Sequence, residues 1–198
     1  MTRAPMKLLA AASLLMLAAC SQPKVPEDHF YRLTSAAPQS ADVKLKGAIE
    51  VHRFVADGLT ANRPIVYTGG AGSNQLQAYH YHFWSEPPAI MLQNALANYL
   101  RRANLATSVV TPELRLEPEY IATGKIIRFE QITGGTPGIA VEVELSLKET
   151  GSGKLIHFGH YTVEQAASDP SIGTAVGQIS QAMNSIYARF LADIRSKR

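Results

Sequence analysis

Cysteine occurs once in the 198 residues, at Cys20, so no intramolecular disulfide can form and no cysteine-rich metal site can be assembled. A long membrane-spanning run is missing as well. The charge-free stretch Leu8–Ala19 has 12 residues, against about 20 that a helix needs to cross a hydrocarbon core. Neither sign of charge dominates, with 19 Lys+Arg against 16 Asp+Glu, which leaves out the strongly basic footprint of nucleic-acid binding. Catalytic signatures are equally scarce. Ala71 and Thr150 stand where a G-x-S-x-G elbow around Ser73 or Ser152 needs its leading glycine. Gly151-Ser152-Gly153-Lys154 has Lys148 and Leu155 at two positions that a phosphate loop requires as glycine and Ser/Thr. It reads as a hairpin turn.

What is present is most telling at the N-terminus. Arg3 and Lys7 precede the apolar run, which ends at Leu17-Ala18-Ala19-Cys20 and gives way to Ser21-Gln22-Pro23. A basic start, a short apolar segment and small residues before a cysteine form a secretion signal, and the last four residues resemble the bacterial lipobox. The expectation is a signal peptide over 1–19, cleavage before Cys20, and a diacylglycerol with an N-acyl chain on Cys20. Two or more acyl chains give stable anchoring where one does not. With Arg3 and Lys7 removed, the remaining chain carries 17 basic against 16 acidic residues. By resemblance to enteric sorting rules, Ser21 in place of aspartate implies outer-membrane delivery, facing the periplasm.

From Cys20 to residue 46, Pro23, Pro26 and Pro38 break the chain and favour extended backbone, so this part reads as a lipidated tether. Phe30-Tyr31-Arg32-Leu33 within it is a candidate edge strand. Residues 47–198 suffice for one domain. Ile49–Val55, Arg63–Thr68 and Gln75–Tyr81 are strand candidates. Ser85-Glu86-Pro87 reads as a helix start, with Ser85 capping, ahead of apolar residues at Ala89, Leu92, Leu96, Tyr99 and Ala103. Strict alternation from Ile139 to Leu147 marks a half-buried strand. Ile121–Phe129 pairs with it on one side and Lys154–Glu164 on the other, forming an antiparallel meander. Asp169-Pro170 opens a last helix with Ile172, Val176, Ile179, Met183, Ile186 and Phe190 on one stripe. The fold class expected is α+β, a mostly antiparallel sheet with two amphipathic helices on one face.

The stretch YHYHFWSEPP, residues 79–88, concentrates polar aromatics. Alternation places His80 and His82 on one face of a strand, the start of a metal site, but His157 and His160 lie three apart and face opposite ways, so at most one of them could join as a third ligand. The histidines read as strand residues, and Trp84 as an aromatic anchor in the core. Gly173 and Gly177 form a G-x-x-x-G spacing whose helix cost implies close approach to another element or subunit.

His82, Trp84, Glu86 and Pro87 give the segment a further meaning. It resembles the H-x-W-x-E-P segment of the ABC-type transport auxiliary lipoproteins, the family that includes the paraquat-inducible lipoprotein component. Phe30-Tyr31-Arg32-Leu33 resembles that family's aromatic segment after the lipidated cysteine, and Arg63-Pro64-Ile65-Val66-Tyr67 its R-P-x-I-V-Y strand. The resemblance implies a non-catalytic accessory of an ABC transporter with an MCE-domain protein partner, anchored in the outer membrane and serving lipid movement between the two membranes. It carries no catalytic residue, no cofactor beyond the acyl chains on Cys20 and no nucleic acid, and leaves homo-oligomerisation open. Two rivals remain: a free-standing periplasmic lipid carrier or chaperone, which needs an apolar cavity, and a metal-dependent hydrolase using His80 and His82, which needs bound metal.

Overall fold

The computed structural model describes residues 25–38, 45–70 and 72–197. The signal segment, Cys20 and the adjoining start of the tether lie outside the described residues. Eight strands form one sheet: β1 (His29–Tyr31), β2 (Leu45–Val51), β3 (Pro64–Thr68), β4 (Leu76–Trp84), β5 (Ala106–Val110), β6 (Tyr120–Ile132), β7 (Gly138–Glu149) and β8 (Leu155–Ala166). Helix α1 (Pro88–Arg102) connects β4 to β5, and α2 (Ile172–Ser196) ends the chain. Among the described residues no helix is long and apolar enough to cross a membrane.

Strand β6 organises the sheet. One edge pairs along its length with β7, which pairs in turn with β8, giving the antiparallel meander that the alternating sequence predicts. The other edge is divided. Ile49–Val51 of β2 lie parallel to Tyr120–Ala122, while Val66–Thr68 of β3 lie parallel to Glu130–Ile132, with a single bridge between Val55 and Lys125. Strand β5 extends the β2 side in parallel; β4 extends the β3 side antiparallel, and β1 closes that side parallel to β4. The class is therefore α+β as expected, with a sheet that is mixed rather than purely antiparallel. The parallel pairs arise where the chain leaves the sheet and returns, as it does through α1, because such pairs need a crossover connection. Strand β5, Ala106-Thr107-Ser108-Val109-Val110, is absent from the sequence reading, being short and lacking alternation.

Both helices lie on one face. Helix α2 packs over β7 and β8 and α1 over β5 and β2. Leu92, Leu96, Leu100, Ile179, Met183, Ile186 and Phe190 are buried with Val141, Val143, Leu145 and Leu147 from the sheet. The buried Tyr187 hydroxyl donates to the Leu92 carbonyl at 3.1 Å and joins the helices. At the other end of the sheet the β3–β4 and β6–β7 turns meet. A Cβ on Gly134 would collide with the Gly69 carbonyl oxygen, so only glycine allows that approach.

Helix α1 starts later than Ser85. Its first residue is Pro88, with Pro87 as N-cap at φ −53°, ψ 136° and no side-chain cap. The second proline explains this: a residue before proline is pushed out of the helical region, so Pro87 cannot be helical and Ser85 stands too far upstream to cap. Helix α2 is capped by Ser171, whose Oγ accepts from the Thr174 amide, while Asp169 accepts from the Ser171 amide and the Thr174 hydroxyl. The G-x-x-x-G pair meets no other element among the described residues: a Cβ on Gly173 or Gly177 would have no neighbour there within 4 Å.

Candidate functional site

The three short segments that stand out in the sequence converge at the β1–β4 edge. Tyr31 pairs with Trp84 in register, and its carbonyl accepts from the Ser85 amide at 2.7 Å. Its hydroxyl lies 3.0 Å from His82 Nδ1, and the His82 ring stacks on His29 with centroids 4.9 Å apart. Arg63 comes from the third segment. Its carbonyl accepts from the Trp84 amide at 2.8 Å, its Nε donates to the Trp84 carbonyl at 3.1 Å, and its guanidinium lies 5.2 Å from the centre of the Phe30 ring. Phe30 stacks on Phe83 at 5.7 Å. Trp84 points the other way, into the core, 1% exposed with its ring centroid 5.1 Å from that of Phe129.

The predicted regular alternation of the histidines does not hold. Between Pro64 and Val66 of β3 the partner on β4 moves from Phe83 to Ala78, so the YHYH part carries extra residues in a bulge. His82 is tucked against Tyr31, His29 and the edge of Tyr79, whereas His80 is exposed beside Tyr81. Burial, followed by the neighbouring His29, holds the His82 imidazole below its ordinary value. No group of three or more His, Cys, Asp or Glu side chains among the described residues is arranged to hold a metal. Glu86 is exposed and accepts from Asn94 Nδ2 at 3.4 Å, and Pro87 serves as the N-cap.

Beyond β1 the chain crosses the groove between the helices as a strap. The Asn184 side chain brackets it, Nδ2 donating to the Thr34 carbonyl at 2.9 Å and Oδ1 accepting from the Ala36 amide at 3.0 Å. The Thr34 amide donates to Ser180 Oγ at 3.2 Å. Under this strap is an open cleft of about 230 Å³, bordered by Arg32, Glu86, Asn94, Asn98, Met183 and Asn184.

A second polar group lies under α2. The Tyr161 hydroxyl donates to Asp193 Oδ2 at 2.7 Å and sits 2.9 Å from His157 Nε2, while His157 Nδ1 is buried with no hydrogen-bond partner among the described residues. Burial pushes the Tyr161 phenol well up, and the Asp193 carboxylate adds to this. The same burial holds His157 down, opposed by Asp193 and assisted by Lys197. His157 and Tyr161 stand four apart on one strand, hence on one face, which the period of two reveals; Asp193 comes from α2, and no spacing in the sequence points to it. His160 faces the opposite way and pairs with Glu142 at 2.7 Å. The cluster joins a helix to the sheet, and no serine, threonine or cysteine hydroxyl or thiol stands among its bonded partners as a nucleophile.

Crystal structures of other proteins share this fold. A Xanthomonas campestris protein of the DUF330 family is 16% identical, with a TM-score of 0.72 over 82% of this chain and 91% of its own. A second, described as an uncharacterized protein, is 15% identical, with a TM-score of 0.67 over 85% of this chain and 99% of its own. No curated protein sequence matches the chain. A family model does, from residue 31 in β1 to residue 192 in α2, spanning the convergence of the three segments, and by it the chain belongs to the ABC-type transport auxiliary lipoprotein component family.

Proposed function

We propose that the protein is an outer-membrane-anchored periplasmic lipoprotein, a non-catalytic auxiliary subunit of an MCE-type ABC transport system that moves lipid between the inner and outer membranes. The observation that carries this is the family match over residues 31–192. The lipobox-like Leu17-Ala18-Ala19-Cys20 supports acylation of Cys20, and Ser21 supports the outer membrane. The polar side chains of the described residues support a binding role: His82, Arg63 and Asn184 bond to the protein's own backbone and rings and shape a surface.

The cleft argues against a free-standing lipid carrier. Its volume of about 230 Å³ is below the roughly 300–1,000 Å³ typical of small-molecule pockets, and the larger depressions, of about 610 and 450 Å³, are open and bordered by charged side chains, among them Lys154 and Lys197 in one and Arg128 and Glu164 in the other. Purification of the acylated full-length protein from native membranes in mild detergent, with mass spectrometry of what accompanies it, tests the reading. An MCE-domain protein and ABC subunits are expected. Lipid at one molecule per chain, with no protein partner, overturns the proposal in favour of the carrier.

A further inference from the structure

The β1–β4 edge presents apolar surface that the fold leaves uncovered. Val25 is 79% exposed, Phe30 57% and Tyr81 43%, although Phe and Tyr ordinarily bury much of their area. Phe30 and Phe83 stack as a pair, and Arg63 lies against that pair as a cation beside an aromatic face. Arg63 Nε is taken by the Trp84 carbonyl, and its terminal nitrogens make no hydrogen bond among the described residues. The edge cannot fold away, because β1 is pinned by its pairing to β4, by the Ser85–Tyr31 backbone bond and by the Tyr31–His82 contact.

We propose that this edge, with Phe30, Phe83, Tyr81 and Arg63, is a lipid-contacting surface that lies against the headgroup layer of the membrane holding the anchor. The proposal rests on the acylation of Cys20. Phe30 follows Cys20 by ten residues, so even fully extended chain keeps it within about 35 Å of the acylated residue, and Val25 lies halfway. Aromatic rings with polar neighbours are the side chains that favour the membrane–water interface, and a guanidinium beside them suits lipid phosphate. The charge around the edge selects among lipids. Arg32 and Arg63 are offset by Glu27 and Asp28, so the surface fits a headgroup layer rich in zwitterionic phosphatidylethanolamine rather than a strongly anionic one.

Since Cys20 is the only native cysteine and its sulfur carries lipid, an introduced cysteine is the only free thiol. Acylated full-length Tyr81→Cys and Ser152→Cys, each carrying an environment-sensitive fluorophore, are reconstituted into phosphatidylethanolamine/phosphatidylglycerol vesicles with brominated acyl chains. Ser152 is in the β7–β8 turn, at the opposite end of the sheet from β1. The label at 81 is expected to be quenched several-fold more than the label at 152, and Phe30→Glu in the Tyr81→Cys chain, with its melting temperature checked, is expected to remove the difference. Equal, weak quenching at both positions in protein that floats with the vesicles overturns the lipid contact and leaves the anchor standing. Shielding at 81 that occurs only when transporter subunits are added overturns it in favour of a protein partner. Protein that does not float removes the anchor and the contact together.

Discussion

Tyr161 shows how much a single hydroxyl organises. It is 2% exposed and stands between a buried histidine on its own strand and an aspartate on α2. Tyr161→Phe removes the hydroxyl that bonds both His157 Nε2 and Asp193 Oδ2 and leaves those two groups only their 3.5 Å approach to each other, and the expected loss is about 1–3 kcal/mol, the cost of poorly satisfied buried groups, read from urea unfolding at neutral pH. Acid should expose the same cluster. The folded His157 titrates below its ordinary value, so as pH falls through about 6.5 the unfolded chain takes up a proton first. Stability from this group is complete above that pH and declines below it, towards the lower folded value. Burial and His29 give His82 a contribution of the same sign. His157→Gln should flatten part of the slope between pH 7 and 5, and His157→Gln with His82→Gln should flatten more; an unchanged slope in the double variant refutes the assignment. Trp84 was legible from its place after a strand and before a helix, and its burial agrees with that reading, whereas Asp193 was invisible because its role depends on how α2 lands on the sheet.

At the scale of elements, the sequence is most readable where each face has one job. The Ile139–Leu147 alternation and the stripe on α2 match β7 and α2, both of which bury one side more completely than the other. It is least readable where local geometry departs from the repeat. The β4 bulge separates His80 from His82, the proline pair delays α1, and β5 is too short to show a period. The glycines of α2 offer a clean test. With open space where each Cβ would stand, Gly173→Ala and Gly177→Ala should each raise stability, by up to about 1 kcal/mol, through helix propensity alone. Thermal melts of the two variants check this. A melting temperature that falls with dissociation of a higher-order species would instead mark the spacing as a subunit contact.

For the whole molecule, three segments spread over nearly sixty residues, from Phe30 to Pro88, carried the resemblance, and the fold explains why they recur together: they are one structural unit around Tyr31, Arg63 and Trp84. Their joint meaning was legible only through that resemblance, because cross-strand pairing leaves no mark in local sequence. In the proposed function, attachment to the membrane depends on Cys20, which lies outside that unit. Cys20→Ala should accumulate as an unacylated precursor, scored by mass spectrometry and by its failure to float with vesicles, and acylation persisting in the variant would refute the lipobox reading.

With Cys20 acylated as proposed, the route from it to the core also defines a load path. A pull on the lipid anchor reaches β1 first, where three residues pair with β4, then the strap held by Asn184 and Ser180, and only afterwards β2, which is clasped between β5 and β6. Of these joints, the one nearest the proposed anchor rests on the shortest strand. Under tension the strand and strap should peel before the core yields, and the 24 residues from Ser21 to Lys44 span about 80 Å when fully extended, while the β6 meander and both helices stay folded. Force spectroscopy should record this as a small first extension that Asn184→Ala shifts to lower force. The protein would then behave as an adjustable mooring, able to follow a changing gap beneath its membrane without losing the shape of its head.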